Sequence, residues 1–263
     1  MKKLTKNDIP TTFWDHLEAL RWVILRIIAV LLVMVITLFM FRDFLFDDII
    51  LSPLRSDFVF YRWLCVAGEW LHLPAICPED FNIQLINIEL AGQFMTHISV
   101  TVMISIVLMV PYLIYEVWHF IAPALYPKER KNVGWIFSTS SFLFYLGAAV
   151  SYFIIFPLTV RFLGGYTVSD LIPNQISIQS YIGALYVLVF AIGLMFEMPV
   201  LAYFLSSAGI LKKKTMRKLR SYALLVILIL SAIITPTTDP FTMCAVALPL
   251  YLLYEVSIWV CKK

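Results

Sequence analysis

The stretch FMTHISVTVMISIVLMVPYLIYEVW, residues 94–118, decides the fold. It holds one carboxylate, Glu116, close to its far end, and one histidine, His97, close to its start. As a helix rising about 1.5 Å per residue it reaches about 38 Å, enough to cross a hydrocarbon core of about 30 Å that needs about 20 apolar residues. Five further apolar runs flank it: about Trp22 to Phe41 before it, then Val133 to Leu158, Tyr181 to Leu205, Tyr222 to Ile234 and Phe241 to Cys261 after it. Composition agrees, with 61% of the 263 residues hydrophobic and 14% charged, against roughly 45–50% and about 25% in soluble domains. The expectation is an all-α integral membrane protein with six transmembrane helices. A net charge of only +3 gives no basis for a nucleic-acid partner.

Lys and Arg collect in cytoplasmic segments, which orients the spans. One side receives Lys2, Lys3, Lys6, Arg21 and Arg26, then Lys128, Arg130 and Lys131, then the run from Lys212 to Arg220, then Lys262 and Lys263. The other receives Arg42, Arg55, Arg62 and Arg161 together with most of the acids. Both termini are therefore expected to be cytoplasmic. Arg26 and the lack of a small-residue cleavage site before Arg42 argue against a removable leader, so the first span is expected to stay.

The last two spans are expected to be short, Tyr222 to Ile234 at about 20 Å and Phe241 to Tyr254, before Glu255, at about 21 Å, which calls for local bilayer thinning or covering partners. Pro111, Pro157, Pro199 and Pro249 each remove a backbone donor, so a kinked and cupped bundle is expected. Gly147 and Ser151, four residues apart, permit close helix approach. Residues 42–93 read as an extended outer loop containing Cys65 and Cys77. A disulfide between these two is the leading reading, and a metal site with His72 and Glu79 the alternative, although its spacing matches no recognised template. Cys244 and Cys261 read as buried thiols.

No zinc pair, phosphate loop, nucleophile elbow or dinucleotide glycine pattern occurs, so no enzyme activity, cofactor or metal is expected. Thr12-Phe13-Trp14-Asp15 fits a helix start, with Phe13, Leu17, Leu20 and Ile24 on one face, and Glu18 and Arg21 spaced for an ion pair. Glu197 stands near the middle of the fourth span, where an ionised carboxylate costs about 2.5–3.5 kcal/mol. Asp239 is placed to cap the last helix.

The segment HFIAPALYPKERK, residues 119–131, resembles the cytoplasmic loop of TatC, the multispanning receptor subunit of the twin-arginine protein translocase. DHLEALR at 15–21, FLFYLGAAVSYFIIFPL at 142–158, FEMPV at 196–200 and TPTTDPFTMCAVALPLYLLYEVSI at 235–258 resemble other parts of the same family. The resemblance implies a receptor that binds twin-arginine signal peptides at the cytoplasmic face. It also implies assembly with single-span Tat subunits of the TatA and TatB type, self-association in a complex, contact with membrane lipid, and transport that depends on the proton-motive force. A carboxylate can accept a guanidinium through paired, charge-assisted hydrogen bonds, and Glu129 matches the family's loop glutamate. Around it, Phe120, Tyr126 and Arg130 from the loop, with Glu18 and Arg21 from the N-terminal motif, complete the implied peptide-binding set. The family's N-terminal glutamate falls at Ala19 here, one residue after Glu18. On a helix that is a rotation of about 100°.

Glu197, Asp239 and Thr235 are the implied polar contacts to partners or peptide, with Met243 standing where the family often has glutamine. The rival function is a small-solute secondary transporter. Such proteins show internal repeats around a midplane site; no repeat is evident, and only Glu197 would serve that site.

Overall fold

The computed structural model describes residues 13–70, 84–121, 133–167, 169, 174–207, 209–235 and 239–261. The first apolar run becomes α1 (Phe13–Phe39), continuous from the start-motif residue Phe13 through the whole span. A π-helical stretch (Phe44–Ile50), a 3-10 turn (Ser52–Leu54) and α2 (Val59–Trp70) come next. The decisive stretch forms α3 (Gly92–Ile121). α4 (Val133–Val150) runs through a π-helical turn (Ser151–Ile155) into α5 (Phe156–Gly165), and α6 (Ile178–Met195) is followed almost directly by α7 (Met198–Ser207). A short basic helix, α8 (Lys213–Lys218), leads into α9 (Arg220–Ile234) and then α10 (Pro240–Val260).

Among the described residues five stretches are long and apolar enough to cross a bilayer: Leu17–Phe39, Gly92–Phe120, Gly134–Gly165, Ile178–Ser207 and Pro240–Val260. α9 is apolar but has only 15 residues, about 22 Å at the usual rise. The expected pair of short helices is thus corrected to one. α10 has 21 residues, about 31 Å, because Glu255 does not end the apolar helix: Arg220 at the start of α9 donates to it at 2.7 Å, and the helix continues past the neutralised charge.

The four prolines act in different ways, and two of them coincide with an irregularity in the helix. Pro199 cannot bond the carbonyl four residues back, and the helix breaks just ahead of it at Phe196–Glu197, with the Glu197 amide bonding Leu194 instead. Pro157 follows the π-helical turn, the usual accommodation of one extra residue in a helix. Pro111 and Pro249 lie inside α3 and α10 without a break in the helix.

The core lies where α4, α6, α7 and α10 pack. Two glycines set the closest approach: a Cβ at Gly147 would meet the Phe196 side chain at 2.7 Å, and one at Gly193 would meet Phe144 at 2.9 Å. Each helix thus receives the other's phenylalanine against bare backbone, and Ser151, one turn beyond Gly147, is fully buried. α1 is different. It packs on α3, and among its described side chains only Val23 is buried.

The 42–93 segment, where described, is a folded cap and not a bare loop. Three tyrosine hydroxyls bind it to the helices. Tyr152 donates to the Ile49 carbonyl at 2.5 Å, Tyr181 to that of Ile50 at 2.8 Å, and Tyr61 lies 3.3 Å from those of Pro53 and Pro157. Burial pushes the Tyr61 phenol well above its ordinary range. The all-α expectation needs one amendment: Leu85–Ile86 and Ile176–Ser177 pair as two short parallel strands, β1 and β2, tying this cap to the start of α6. Cys65, half-buried in α2, is disulfide-bonded; Cys77 lies outside the described residues. Cys261 is buried as expected, whereas Cys244 is exposed, since it falls on the face of α10 turned away from the bundle.

Asp239 caps α10, accepting the Thr242 amide at 2.8 Å and the Thr242 hydroxyl at 2.5 Å. Asp239→Ala removes both and is expected to cost about 1 kcal/mol, the usual value of such a cap. Thermal unfolding of the purified protein checks it, with Asp239→Asn expected to recover most of the loss.

Candidate functional site

Ion pairs and ring contacts align one end of the bundle. Arg26 on α1 donates to Glu116 on α3 at 2.9 Å, while Phe39 stacks on His97 with ring centroids 4.0 Å apart. The two helices are therefore antiparallel, and Arg21, five residues before Arg26, lies level with Ile121, five after Glu116. Trp118 of α3 meets Phe204 of α7 at 5.5 Å, and Trp135 of α4 meets Tyr203 at 6.1 Å. The Tyr254 hydroxyl of α10 donates to the Met216 carbonyl of α8 at 2.8 Å. The start of α1, the end of α3, the start of α4, the end of α7, all of α8 and the end of α10 thus share one end. Lys212, Lys213, Lys214, Arg217, Lys218 and Arg220 are there with Arg21 and Arg26. Arg42, Arg55, Arg62 and Arg161 lie at the other end, with Asp43, Asp47, Asp48 and Asp57.

Glu18 and Arg21 both stand at the basic end and both are exposed. The ion pair expected between them does not form; no salt bridge joins them. Two exposed side chains on one helix gain little from pairing against the entropy of holding them, so each faces outward. Phe120 is half-buried in the last turn of α3. Tyr126, Glu129 and Arg130 belong to 122–132, outside the described residues, and that segment leaves α3 and enters α4 at this same end.

The contact between Arg26 and Glu116, 90 residues apart, is one that no local spacing predicts. Glu116 is buried, and it accepts the Arg26 guanidinium at 2.9 Å and the Tyr112 hydroxyl at 2.8 Å. Without such partners a carboxylate at this depth would be expensive. A signal did exist: a base and an acid, each inside an apolar run, Arg26 four residues from the start of the first run and Glu116 two residues from the end of the second.

Glu197 sits in the break between α6 and α7. Its Oε2 accepts the Ser140 hydroxyl of α4, and its Oε1 is buried with no hydrogen-bond partner among the described residues. Ten residues separate it from the end of α7 and nineteen from the start of α6, so it lies close to mid-depth, displaced toward the basic end. Glu197→Ala leaves the buried Ser140 hydroxyl without its acceptor and is expected to cost about 1–3 kcal/mol. Glu197→Gln keeps an oxygen there and is expected to cost less than half as much, both read by thermal unfolding. Asp239 and Thr235 flank the α9–α10 turn at the acidic end, far along α10 from the basic one. Thr235 is buried, and its hydroxyl bonds the Ser231 carbonyl at 3.0 Å. The expected site residues therefore separate into a basic-end group, an intramembrane carboxyl and a distant helix cap. Among the described residues no group of three or more His, Cys, Asp or Glu could hold a metal ion.

Several apolar helices of crossing length, with the buried carboxylate of Glu116 neutralised by Arg26, define a multi-pass membrane protein. The family model for the Sec-independent protein translocase protein TatC matches residues 15–249, so the chain belongs to the TatC family and is a component of the twin-arginine protein-export system. It is 32% identical over 260 residues to the Sec-independent protein translocase protein TatC of Blattabacterium sp. subsp. Periplaneta americana, covering 98% of this chain and 97% of that one. Against the Escherichia coli K12 protein of the same name the identity is 37% over 203 residues, covering 75% of this chain and 78% of that one. Two crystal structures of the twin arginine translocase receptor TatC, one of them in DDM, superpose with TM-scores of 0.69 and 0.71 at 28% identity. They cover 93% and 94% of this chain and 97% and 100% of theirs. These matches favour a translocase subunit over the small-solute transporter.

Proposed function

We propose that the basic end of the bundle is the cytoplasmic face, in the bacterial inner membrane, and that it binds the paired arginines of twin-arginine signal peptides. Glu129 is the principal acceptor, with Glu18 and Arg21 on α1 beside it and Phe120, Tyr126 and Arg130 bordering the peptide. The observation that carries this reading is the level of Glu18: it lies on α1 level with the end of α3, from which the segment holding Glu129 continues in the sequence, at the end of the bundle that carries Arg21, Arg26 and the basic run 212–220. Coulomb attraction alone does not explain selectivity for arginine at a basic surface. Bidentate hydrogen bonding does, because a carboxylate matches the guanidinium fork and not the lysine ammonium.

In this proposal all six apolar helices span the membrane, the short α9 included, and the bundle curves where its prolines break or bend it. The exposed faces of α1 and α9 carry the contacts to single-span TatA- and TatB-type subunits and to further copies of the chain. Glu197 offers its second oxygen to a donor on an entering peptide or partner helix, and Asp239 and Thr235 shape the partner contact at the opposite end. Cys65 pairs with Cys77 in the outer segment. The chain itself forms and breaks no covalent bond.

The test is binding of a synthetic signal peptide to the purified protein. Replacing the two arginines by lysines is expected to weaken binding at least tenfold and to flatten its dependence on Glu129. Equal affinity for both peptides would overturn the reading.

A further inference from the structure

At the acidic end two cavities of opposite character share a wall. The first is an apolar groove of about 240 Å³ between α3, α4 and α6, floored by Met103, Ile104, Val107, Ala149 and Leu185. Its two hydroxyls are already spent, Tyr145 donating to the Leu108 carbonyl at 3.0 Å and Tyr152 to that of Ile49. The second is a charged bowl of about 390 Å³ around Asp48, Arg55, Asp57 and Arg62. Ile49, Tyr152 and Phe153 line both, and Phe58 stacks on Phe153 at 5.8 Å behind them. The four charged side chains are exposed, and none makes an ion pair among the described residues.

We infer that the joined cavities are a binding site for one phospholipid of the adjoining leaflet, an acyl chain in the groove and a zwitterionic ammonium–phosphate headgroup in the bowl. The groove lies along crossing helices, where its surroundings are hydrocarbon, so chain burial gives no net drive of its own. Retention must come from the headgroup. Two guanidiniums suit the phosphate oxygens, and two carboxylates at the same rim suit an ammonium and repel a purely anionic headgroup. Tyr152 and Phe153 stand at the boundary, the depth aromatic side chains favour.

Native mass spectrometry of the purified full-length protein, given equimolar phosphatidylethanolamine and phosphatidylglycerol, tests this. One phosphatidylethanolamine is expected to be retained at least fivefold over phosphatidylglycerol. Arg55→Gln with Arg62→Gln is expected to reduce retention at least tenfold. Ala149→Trp, which fills the groove and leaves the bowl intact, should do the same, with Ala149→Phe in its place if the larger ring impairs folding. Asp48→Asn with Asp57→Asn is expected to reverse the preference toward phosphatidylglycerol. Equal retention of both lipids by the unaltered protein would overturn the inference, as would retention unchanged in the arginine and groove variants. So would a photoreactive side chain at position 149 labelling a protein helix instead of lipid in native membranes.

Discussion

Glu129→Gln is expected to abolish export of twin-arginine precursors while Sec-dependent export continues at its normal rate. The change keeps size and hydrogen-bonding reach and removes only the charge. A hydrogen bond to a charged group contributes about 1.5–3 kcal/mol, and every 1.4 kcal/mol is a factor of ten, so affinity for the arginine pair should fall about 10- to 150-fold. Neighbouring Lys128, Arg130 and Lys131 then make the loop uniformly repulsive to an arginine, which deepens the loss. Glu129→Asp retains the charge on a shorter stem and is expected to export at an intermediate rate. Raising the salt concentration should narrow the difference between variants, because exposed charges are screened within about 10 Å at 0.1 M. Pulse-chase export of one twin-arginine and one Sec substrate in the same cells reads all of this. The same assay on Ala19→Glu, with and without Glu18→Ala, locates the second acceptor: if Glu18 fills that role, Glu18→Ala alone is impaired and Ala19→Glu restores it.

The second large effect concerns the attachment of α1. Because α1 rests on α3 with little buried surface, its pairing of Arg26 with Glu116 is a main determinant of where its N-terminal turn sits. Glu116→Ala strands the guanidinium beside an apolar helix and deprives the Tyr112 hydroxyl of its acceptor. The expected cost is about 1.5–3 kcal/mol, below the value for a fully enclosed pair, since the Arg26 side chain is half exposed. For a chain of this size that is a fall of about 3–5 °C in Tm. Replacing both partners, Arg26→Leu with Glu116→Leu, removes the charges together and is expected to recover most of the stability. It should not recover signal-peptide affinity fully, because α1 is then free to turn and Glu18 loses its fixed direction. Stability restored with binding still weakened separates this orienting role from plain packing.

Much of this architecture was legible in the order of residues. Apolar runs located the helices because a bilayer demands length and apolarity over a contiguous stretch, a property of local sequence. Pro199 marked a break and Asp239 a cap because each acts on backbone groups within four residues. The charge asymmetry gave the common end of α1, α3, α7 and α10, and the distances agree with it. What stayed hidden depends on chain segments far apart. Arg26 and Glu116 are separated by 90 residues, and only the antiparallel packing of α1 on α3 brings them to one depth. The strand pair of Leu85–Ile86 with Ile176–Ser177 is two residues long on each side, too short for an alternating pattern to register. The tyrosine bonds to Ile49, Ile50, Pro53 and Pro157 use main-chain acceptors, which no motif marks. The last apolar stretch reads as short up to Glu255, because nothing local shows that Arg220, 35 residues earlier, neutralises that charge.

The central claim is that a carboxylate in the loop between α3 and α4 receives the paired arginines. Its most direct test places a photoreactive amino acid at position 128, beside Glu129, and crosslinks a twin-arginine precursor in membranes. A strong adduct is expected with the arginine pair, at most a tenth as much with two lysines, and none when Glu129→Gln is combined with the intact precursor. Equal crosslinking of the arginine and lysine precursors, or an adduct unchanged by Glu129→Gln, would contradict it.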